Sequence, residues 1–209
     1  MPKQKKDKFV IGVTGGMGSG KSTVARMLKN RACELIDADR VAHQSLYRGG
    51  PVYKKIVSFF GPRILKADKN IDCGKLARIV FVNKSALEKL NRIVHPAVIK
   101  EIFRRIRISK RDVIILDAPL IIEAGLMPMI DKLIVVTAKK SQQFSRSKKS
   151  LALSKGQISR RIKSQISQSA KSRLADFIID NSGTISKTRK QVSEVRRTLA
   201  RLARKGFSG

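Results

Sequence analysis

Residues 9–22 read FVIGVTGGMGSGKS, and their order decides the fold. Phe9 to Thr14 is a short apolar run rich in β-branched residues, the pattern of a parallel strand buried on both faces. Gly15 to Gly20 predicts a glycine-rich turn, and Lys21 to Lys29 carries Val24, Ala25 and Leu28 at helical spacing. Glu34 to Asp37 reads as a second short strand. Strand, glycine loop, helix and strand within about thirty residues open an α/β fold.

The stretch Gly15-Gly16-Met17-Gly18-Ser19-Gly20-Lys21-Ser22 satisfies G-x-x-x-x-G-K-[ST]. Small residues let successive backbone N–H groups converge on a phosphate, and the following helix presents its positive end. Lys21 can reach the β and γ phosphates of a nucleotide, and the Ser22 hydroxyl can complete the octahedral shell of Mg²⁺. The loop by itself does not choose the acceptor.

The rest of the chain continues the alternation. Arg40 to Leu46 and Val52 to Phe60 read as helices, the second ended near Gly61-Pro62. Cys73 to Phe81 and Ser85 to Arg92 carry apolar residues at three- and four-residue spacing, and Pro96 suits the first turn of a helix through Ile106. So long a helical excursion between strands predicts a small subdomain or lid. Val113 to Leu116 (VIIL) and Lys132 to Val136 (KLIVV) are clear strands. Ser141 to Ser172 is helical in propensity, very basic and free of acidic residues, with Gly156 as its expected divider. Phe177 to Ile179 predicts a last strand, and Ser186 to Ala203 a final amphipathic helix with a loose tip beyond Leu202.

The 209 residues suffice for one sizeable core and at most a small accessory domain. Apolar residues at 42% exclude a disordered basic tail, and no stretch approaches a membrane span in length. Cys33 and Cys73 have neither zinc-site spacing nor the density of a disulfide scaffold. The charge is unusual: 46 Lys and Arg against 15 Asp and Glu give +31. Residues 1–138 carry +15 and the last 71 carry +16, so the second part is about twice as charged per residue. Such a field attracts nucleotides, nucleic acid and anionic lipid alike and cannot choose among them.

Several residues outside the loop are candidates. Asp37 and Asp39 end the second strand in LIDAD; if strand geometry persists, residues two apart point the same way and both carboxylates face the nucleotide crevice. One would orient Mg²⁺ or its waters, and the other would accept a proton from an attacking hydroxyl. A helix cap at Asp39 is compatible with either role. Asp117 ends the VIIL strand, where a metal-contacting carboxylate or an ordinary strand-end aspartate would sit. Glu123 can bind substrate or pair with an arginine, and His95 precedes Pro96 at an expected helix start. In the basic stretch one or two arginines can close over a transferring phosphate while the other charges face solvent.

The ordered set GVTGGMGSGKS, LIDAD, His95-Pro96, PLIIE from Pro119 to Glu123 and ADFIIDNSG from Ala175 to Gly183 resembles the dephospho-coenzyme A kinase family over about Val10 to Val195. The resemblance implies an α/β P-loop NTPase-like parallel sheet flanked by helices. It further implies a helical substrate-binding region over about 40–108, a basic lid over about 141–172, and loose tails at 1–8 and 206–209. The implied activity is transfer of the γ phosphate of ATP, with Mg²⁺, to the ribose 3′-hydroxyl of dephospho-coenzyme A, the last step of coenzyme A synthesis. Gly16 and Gly18 through Thr23 (Ser19, Gly20, Lys21 and Ser22 between) match the ATP-phosphate cradle. Asp39 matches the base, with Asp37 beside it. His95 and Glu123 match positions around the substrate cavity, Arg146 a lid arginine with a catalytic role, and Arg161 an arginine of the following helix. Two positions depart from the family pattern: Ser150-Leu151 stand where many relatives have Arg-Asp, and Cys73 replaces a common arginine, with Lys75 near enough to compensate. The expected protein is a cytoplasmic monomer with an affinity for polyanions. A nucleoside or nucleotide kinase, or a nucleic-acid-associated NTPase, is the competing class.

Overall fold

A computed structural model describes residues 8–151 and 155–206. Five strands form one all-parallel sheet: β1 (Phe9–Gly15), β2 (Cys33–Asp37), β3 (Val113–Asp117), β4 (Lys132–Thr137) and β5 (Phe177–Asp180), in the order β2-β3-β1-β4-β5. This is the α/β P-loop NTPase-like sheet, with the loop-bearing strand in the centre. Parallel pairing forces each connection to cross a face of the sheet, so strand ends gather along one edge. Val13 and Asp37 both stand opposite Asp117 in register, which brings the carboxyl ends of β2 and β3 level while β1 runs on to Gly15.

The described chain divides into two compact units, one ending at Asp37 and resuming at Arg105, the other spanning Ala38–Arg104. The first holds the sheet with α1 (Lys21–Leu28) and later α6 (Lys140–Leu151), α7 (Lys155–Lys163), α8 (Gln168–Arg173) and α9 (Ile185–Gly206). Its core joins Ile11, Val13, Ile115, Ile134 and Val136 of the sheet to Val24 and Leu28 of α1 and to Val192 and Leu199 of α9. The valines and isoleucines predicted as strand residues supply most of that contact because both faces of a parallel sheet are covered.

The second unit is helical, with α2 (Ala38–Ser45), α3 (Pro51–Phe60), α4 (Cys73–Val80) and most of α5 (Lys84–Ile108). Pro51 opens α3, where its missing N–H costs nothing, and Gly61 at φ 76° closes it. Asp72 caps α4, its Oδ1 accepting from the N–H groups of Gly74 and Lys75 at 2.9 Å. Val52, Ile56, Phe60, Ile64, Ile71, Leu76 and Val80 make this unit's own core.

Three expectations need correction. Pro96 lies inside α5 rather than in a first turn, and His95 is therefore mid-helix. Proline inside a helix costs roughly 3 kcal/mol, but Leu87, Leu90, Ile93, Val94 and Ala97 pack against the second core on both sides of it. Strand geometry does not carry from Asp37 to Asp39: β2 stops at Asp37 and Asp39 sits in the first turn of α2. Gly156 is the second residue of α7, not a divider; residues 152–154 lie outside the described residues, and a break falls at 164–167. Among the expected loose ends, 1–7 and 207–209 lie outside the described residues. Lys8 pairs with Asp112 at 3.3 Å, and α9 runs to Gly206 with Ala203 buried.

Two measurements check this packing. Ile134→Ala, at a wholly buried site, is expected to lower unfolding free energy by about 2–5 kcal/mol in denaturant titration, and Ile178→Ala, half exposed, by under about 1 kcal/mol. Burial pushes the Asp176 carboxyl up, but Lys132 Nζ at 2.7 Å and the Leu133 N–H at 2.8 Å outweigh it and hold the group below its usual value. A depressed carboxyl stabilises the fold above its unfolded pKa, and that stabilisation is lost as pH falls through the folded one. Asp176→Asn should therefore be less stable than the parent at pH 7, with the gap closing below about pH 4.

Candidate active site

The phosphate loop follows β1 at the carboxyl edge of the sheet and opens directly into α1. Its glycines are dictated by space. A Cβ on Gly15 would stand 2.5 Å from the Val136 carbonyl oxygen and 2.6 Å from Ser19 Oγ. One on Gly18 (φ 71°) would strike the Gln143 carbonyl and approach Ser147 Oγ to 2.7 Å; one on Gly20 (φ 89°) would strike the Asn181 amide. Positive φ at Gly18 and Gly20 is a second, independent demand for glycine.

Three predicted residues meet at the loop. Lys21 Nζ is 2.9 Å from Asp117 Oδ1 and 3.4 Å from Ser22 Oγ. The lysine side chain is 12% exposed and the aspartate 3%, so the pair is shielded from water. An ammonium gathered by one carboxylate and one hydroxyl shows that these two oxygens already accommodate a cation. They suit Mg²⁺, which binds through one or two protein oxygens and takes its remaining ligands from phosphate and water. Asp37, level with Asp117 in the adjoining strand, ends β2 at the same edge.

Arg146, on α6, also reaches the loop. Its Nη2 donates to the Asn181 carbonyl at 3.0 Å. Its Nη1 is buried with no hydrogen-bond partner among the described residues and lies 3.9 Å from where a Gly20 Cβ would stand. Burial of a guanidinium N–H without a partner is costly, so Nη1 is a donor open to an acceptor beside the loop. Arg161 lies on α7, and burial pushes its guanidinium down from the ordinary value, though arginine stays charged at neutral pH.

Glu123 pairs with a lysine rather than an arginine. Its Oε1 accepts from Lys171 Nζ at 2.9 Å and from the Ile166 N–H at 3.0 Å, while Oε2 is buried with no partner among the described residues. Lys171 is wholly buried and also donates to the Pro119 carbonyl at 2.6 Å, which further accepts from Thr14 Oγ1 at 3.1 Å. The expectation that the unassigned charges of the basic stretch face solvent therefore fails at Lys171. Interior acceptors drew it in, and no local pattern distinguishes it from its neighbours.

The other predicted residues belong to the helical unit. Asp39 is in the first turn of α2. His95, half-buried in α5, has its pKa lowered by burial, so its imidazole is neutral at physiological pH. Cys73 is exposed at the start of α4, and Lys75 Nζ is engaged by the Leu65 carbonyl at 3.0 Å. Of Ser150-Leu151 only the helical backbone is described.

Sequence reasoning passed over Asn181 and the glutamine pair. Gln143 Nε2 donates to the Ala138 carbonyl and to Gln168 Oε1, both at 2.8 Å, tying α6 and α8 to the end of β4. Asn181 carried a readable signal: a polar amide directly after a parallel strand stands at the ligand-binding edge. The glutamines carried none.

Comparison with known proteins agrees with this geometry. Residues 9–187 match the family model described as dephospho-CoA kinase. The dephospho-CoA kinase of Carboxydothermus hydrogenoformans is 42% identical over 186 residues, covering 88% of this chain and 90% of the relative. That of Aquifex aeolicus is 42% identical over 192 residues, covering 91% and 97%. Among solved structures, dephospho-CoA kinase from Campylobacter jejuni superposes with a TM-score of 0.67 at 29% identity, covering 92% of this chain and 97% of that one. TT1252 from Thermus thermophilus shares the fold at a TM-score of 0.77 and 24% identity, covering 92% and 98%. With a nucleotide-type loop, a shielded lysine–aspartate pair and a spare arginine donor at one edge of a parallel sheet, and with relatives alike along nearly its whole length, this chain belongs to the dephospho-CoA kinase family.

Proposed function

We propose that the protein transfers the γ phosphate of ATP to the ribose 3′-hydroxyl of dephospho-coenzyme A, releasing ADP and coenzyme A. The observation that carries this reading is the junction of Lys21, Ser22 and Asp117 beneath a loop whose Gly15, Gly18 and Gly20 leave no room for a Cβ, in a chain of this family. Backbone N–H groups from Gly16 to Thr23 hold the ATP phosphates, and Lys21 leaves Asp117 to bridge the β and γ groups as the nucleotide enters. Ser22 and Asp117 would hold Mg²⁺, directly or through water. When bound, that ion neutralises phosphate oxygens and fixes the direction of the γ group.

A sugar hydroxyl is a weak nucleophile, so a carboxylate must orient it and take its proton. Asp39 has the chemical type and the motif position for this base, with Asp37 assisting at the strand end. Arg146 contributes its spare Nη1 to the oxygens whose charge shifts during transfer. By their motif positions Glu123, His95 and Arg161 are assigned to the acceptor; Glu123 offers the buried, unpartnered Oε2 to a donor on the substrate. No helix among the described residues is long and apolar enough to cross a membrane. A monomeric cytoplasmic enzyme with a salt-sensitive affinity for polyanions fits the composition.

ATP turnover across dephospho-coenzyme A, adenosine, AMP, CMP and RNA, with the phosphorylated position located, tests the reading. Dephospho-coenzyme A should be the best acceptor, phosphorylated at the 3′ position; a preference for a nucleoside, a nucleotide or RNA would replace this reading with the corresponding class. Asp39→Asn should lower kcat by about 100-fold or more with ATP affinity largely kept, as expected on removing a general base. Lys21→Met should weaken ATP binding and turnover together, because it removes charge from both ground and transition states.

A further inference from the structure

Asn181 satisfies its four hydrogen-bonding groups on four different elements. Its N–H donates to the Thr137 carbonyl at the end of β4 at 2.9 Å, and its carbonyl accepts from Arg146 Nη2 on α6 at 3.0 Å. Its side-chain Nδ2 donates to the Ser19 carbonyl in the phosphate loop at 2.8 Å, and its Oδ1 accepts from Thr188 Oγ1 on α9 at 2.9 Å. A main-chain carbonyl can only accept, so Ser19 decides which end of the amide faces the loop. The opposite end must then accept, and Thr188 supplies the proton. Ser19 and Thr188 are wholly buried and Asn181 is 8% exposed, so water does not compete for these bonds.

The bond to Ser19 has a directional consequence. The Ser19 carbonyl and the Gly20 N–H are opposite ends of one planar trans peptide and point in opposite directions. Anchoring the carbonyl to Asn181 turns the Gly20 N–H away from Asn181, into the group of donors that meets phosphate. The same residue, through its carbonyl, fixes Arg146 Nη2 and leaves Nη1 beside Gly20. We infer that Asn181, held by Thr188, is a positioning residue for phosphoryl transfer: it sets the Gly20 amide and the Arg146 guanidinium in one frame before nucleotide arrives. The inference rests on the ATP reading above and adds to it a buried support from the C-terminal helix.

The test measures the Kd for a fluorescent N-methylanthraniloyl ATP, steady-state KM and kcat for both substrates, and the melting temperature of each variant. Thr188→Val keeps shape and removes the hydroxyl; it should raise the nucleotide Kd and ATP KM about fivefold, the worth of one buried hydrogen bond. The KM for dephospho-coenzyme A should stay within about twofold. Thr188→Ser should restore parental values, and Thr198→Val, an exposed hydroxyl on the same helix, should change nothing. Asn181→Asp turns a carboxylate oxygen toward the Ser19 carbonyl and should cut kcat/KM for ATP by about 50-fold or more. If Asn181→Asp does not fold, the Thr188 pair decides alone. Parental nucleotide Kd and ATP KM in Thr188→Val, or equal rises in both substrates' KM that serine does not reverse, would overturn the inference. A parent protein that binds the nucleotide but does not phosphorylate dephospho-coenzyme A would instead defeat the proposed function, leaving the nucleotide Kd series to judge Asn181.

Discussion

Where β1 hands over to α1, the main chain is packed against its neighbours so closely that a Cβ on Gly15, Gly18 or Gly20 cannot be inserted. Gly15 faces the Val136 carbonyl, Gly18 the Gln143 carbonyl and Gly20 the Asn181 amide, so the loop is held from three directions by β4, α6 and the segment after β5. Much of the architecture at the carboxyl edge follows from that fit. The sheet order places β4 beside β1, α6 begins only three residues after β4 ends, and Asn181 follows β5 directly. The loop is a backbone structure, and only neighbours at backbone distance can stiffen it before a phosphate binds. Preorganisation of this kind lets a binding site act on developing charge without moving first.

The charge economy of the molecule follows a related logic. With 15 acidic residues against 46 basic ones, each buried carboxylate is scarce. Asp117 holds Lys21 at the loop, and Glu123 holds Lys171 in the interior. A buried charge without a partner is far more expensive than an exposed one, so these pairs are maintained while most of the excess lysine and arginine remains solvated. On the proposed reading the lysine–aspartate pair would be exchanged: an incoming phosphate would offer the ammonium a better anion, and a metal ion would offer the carboxylate a replacement cation. Lys171 is engaged by both the Pro119 carbonyl and Glu123, and Pro119 O is shared with Thr14 of the central strand. That arrangement ties α8 to the loop after β3.

The strands, the phosphate loop and the helical insertion were legible because their signals are local. Runs of Val and Ile mark strands covered on both faces, and glycine marks positions where a side chain cannot stand. The errors fell where tertiary packing overrode local preference. Pro96 disfavours a continuous helix, yet apolar residues on either side of it pack against one core and the helix runs through it. Asp37 and Asp39 look like partners on one strand face, but the chain turns helical between them, so alternation no longer relates their directions.

From sequence alone come the parallel α/β class, the glycine-rich loop with its lysine and serine, and the family, since each is encoded by residue type at fixed spacing along a continuous stretch. Tertiary structure alone decides which of many similar side chains become interior supports: Lys171 among the lysines of the basic stretch, Asn181 and Thr188 behind the loop, and Asp117 as the partner of Lys21. The physical reason is that a hydrogen bond or ion pair acquires its value from burial and from a partner distant in the chain. Asn181 and Ser19 are 162 residues apart, and no pattern within either segment records that they meet.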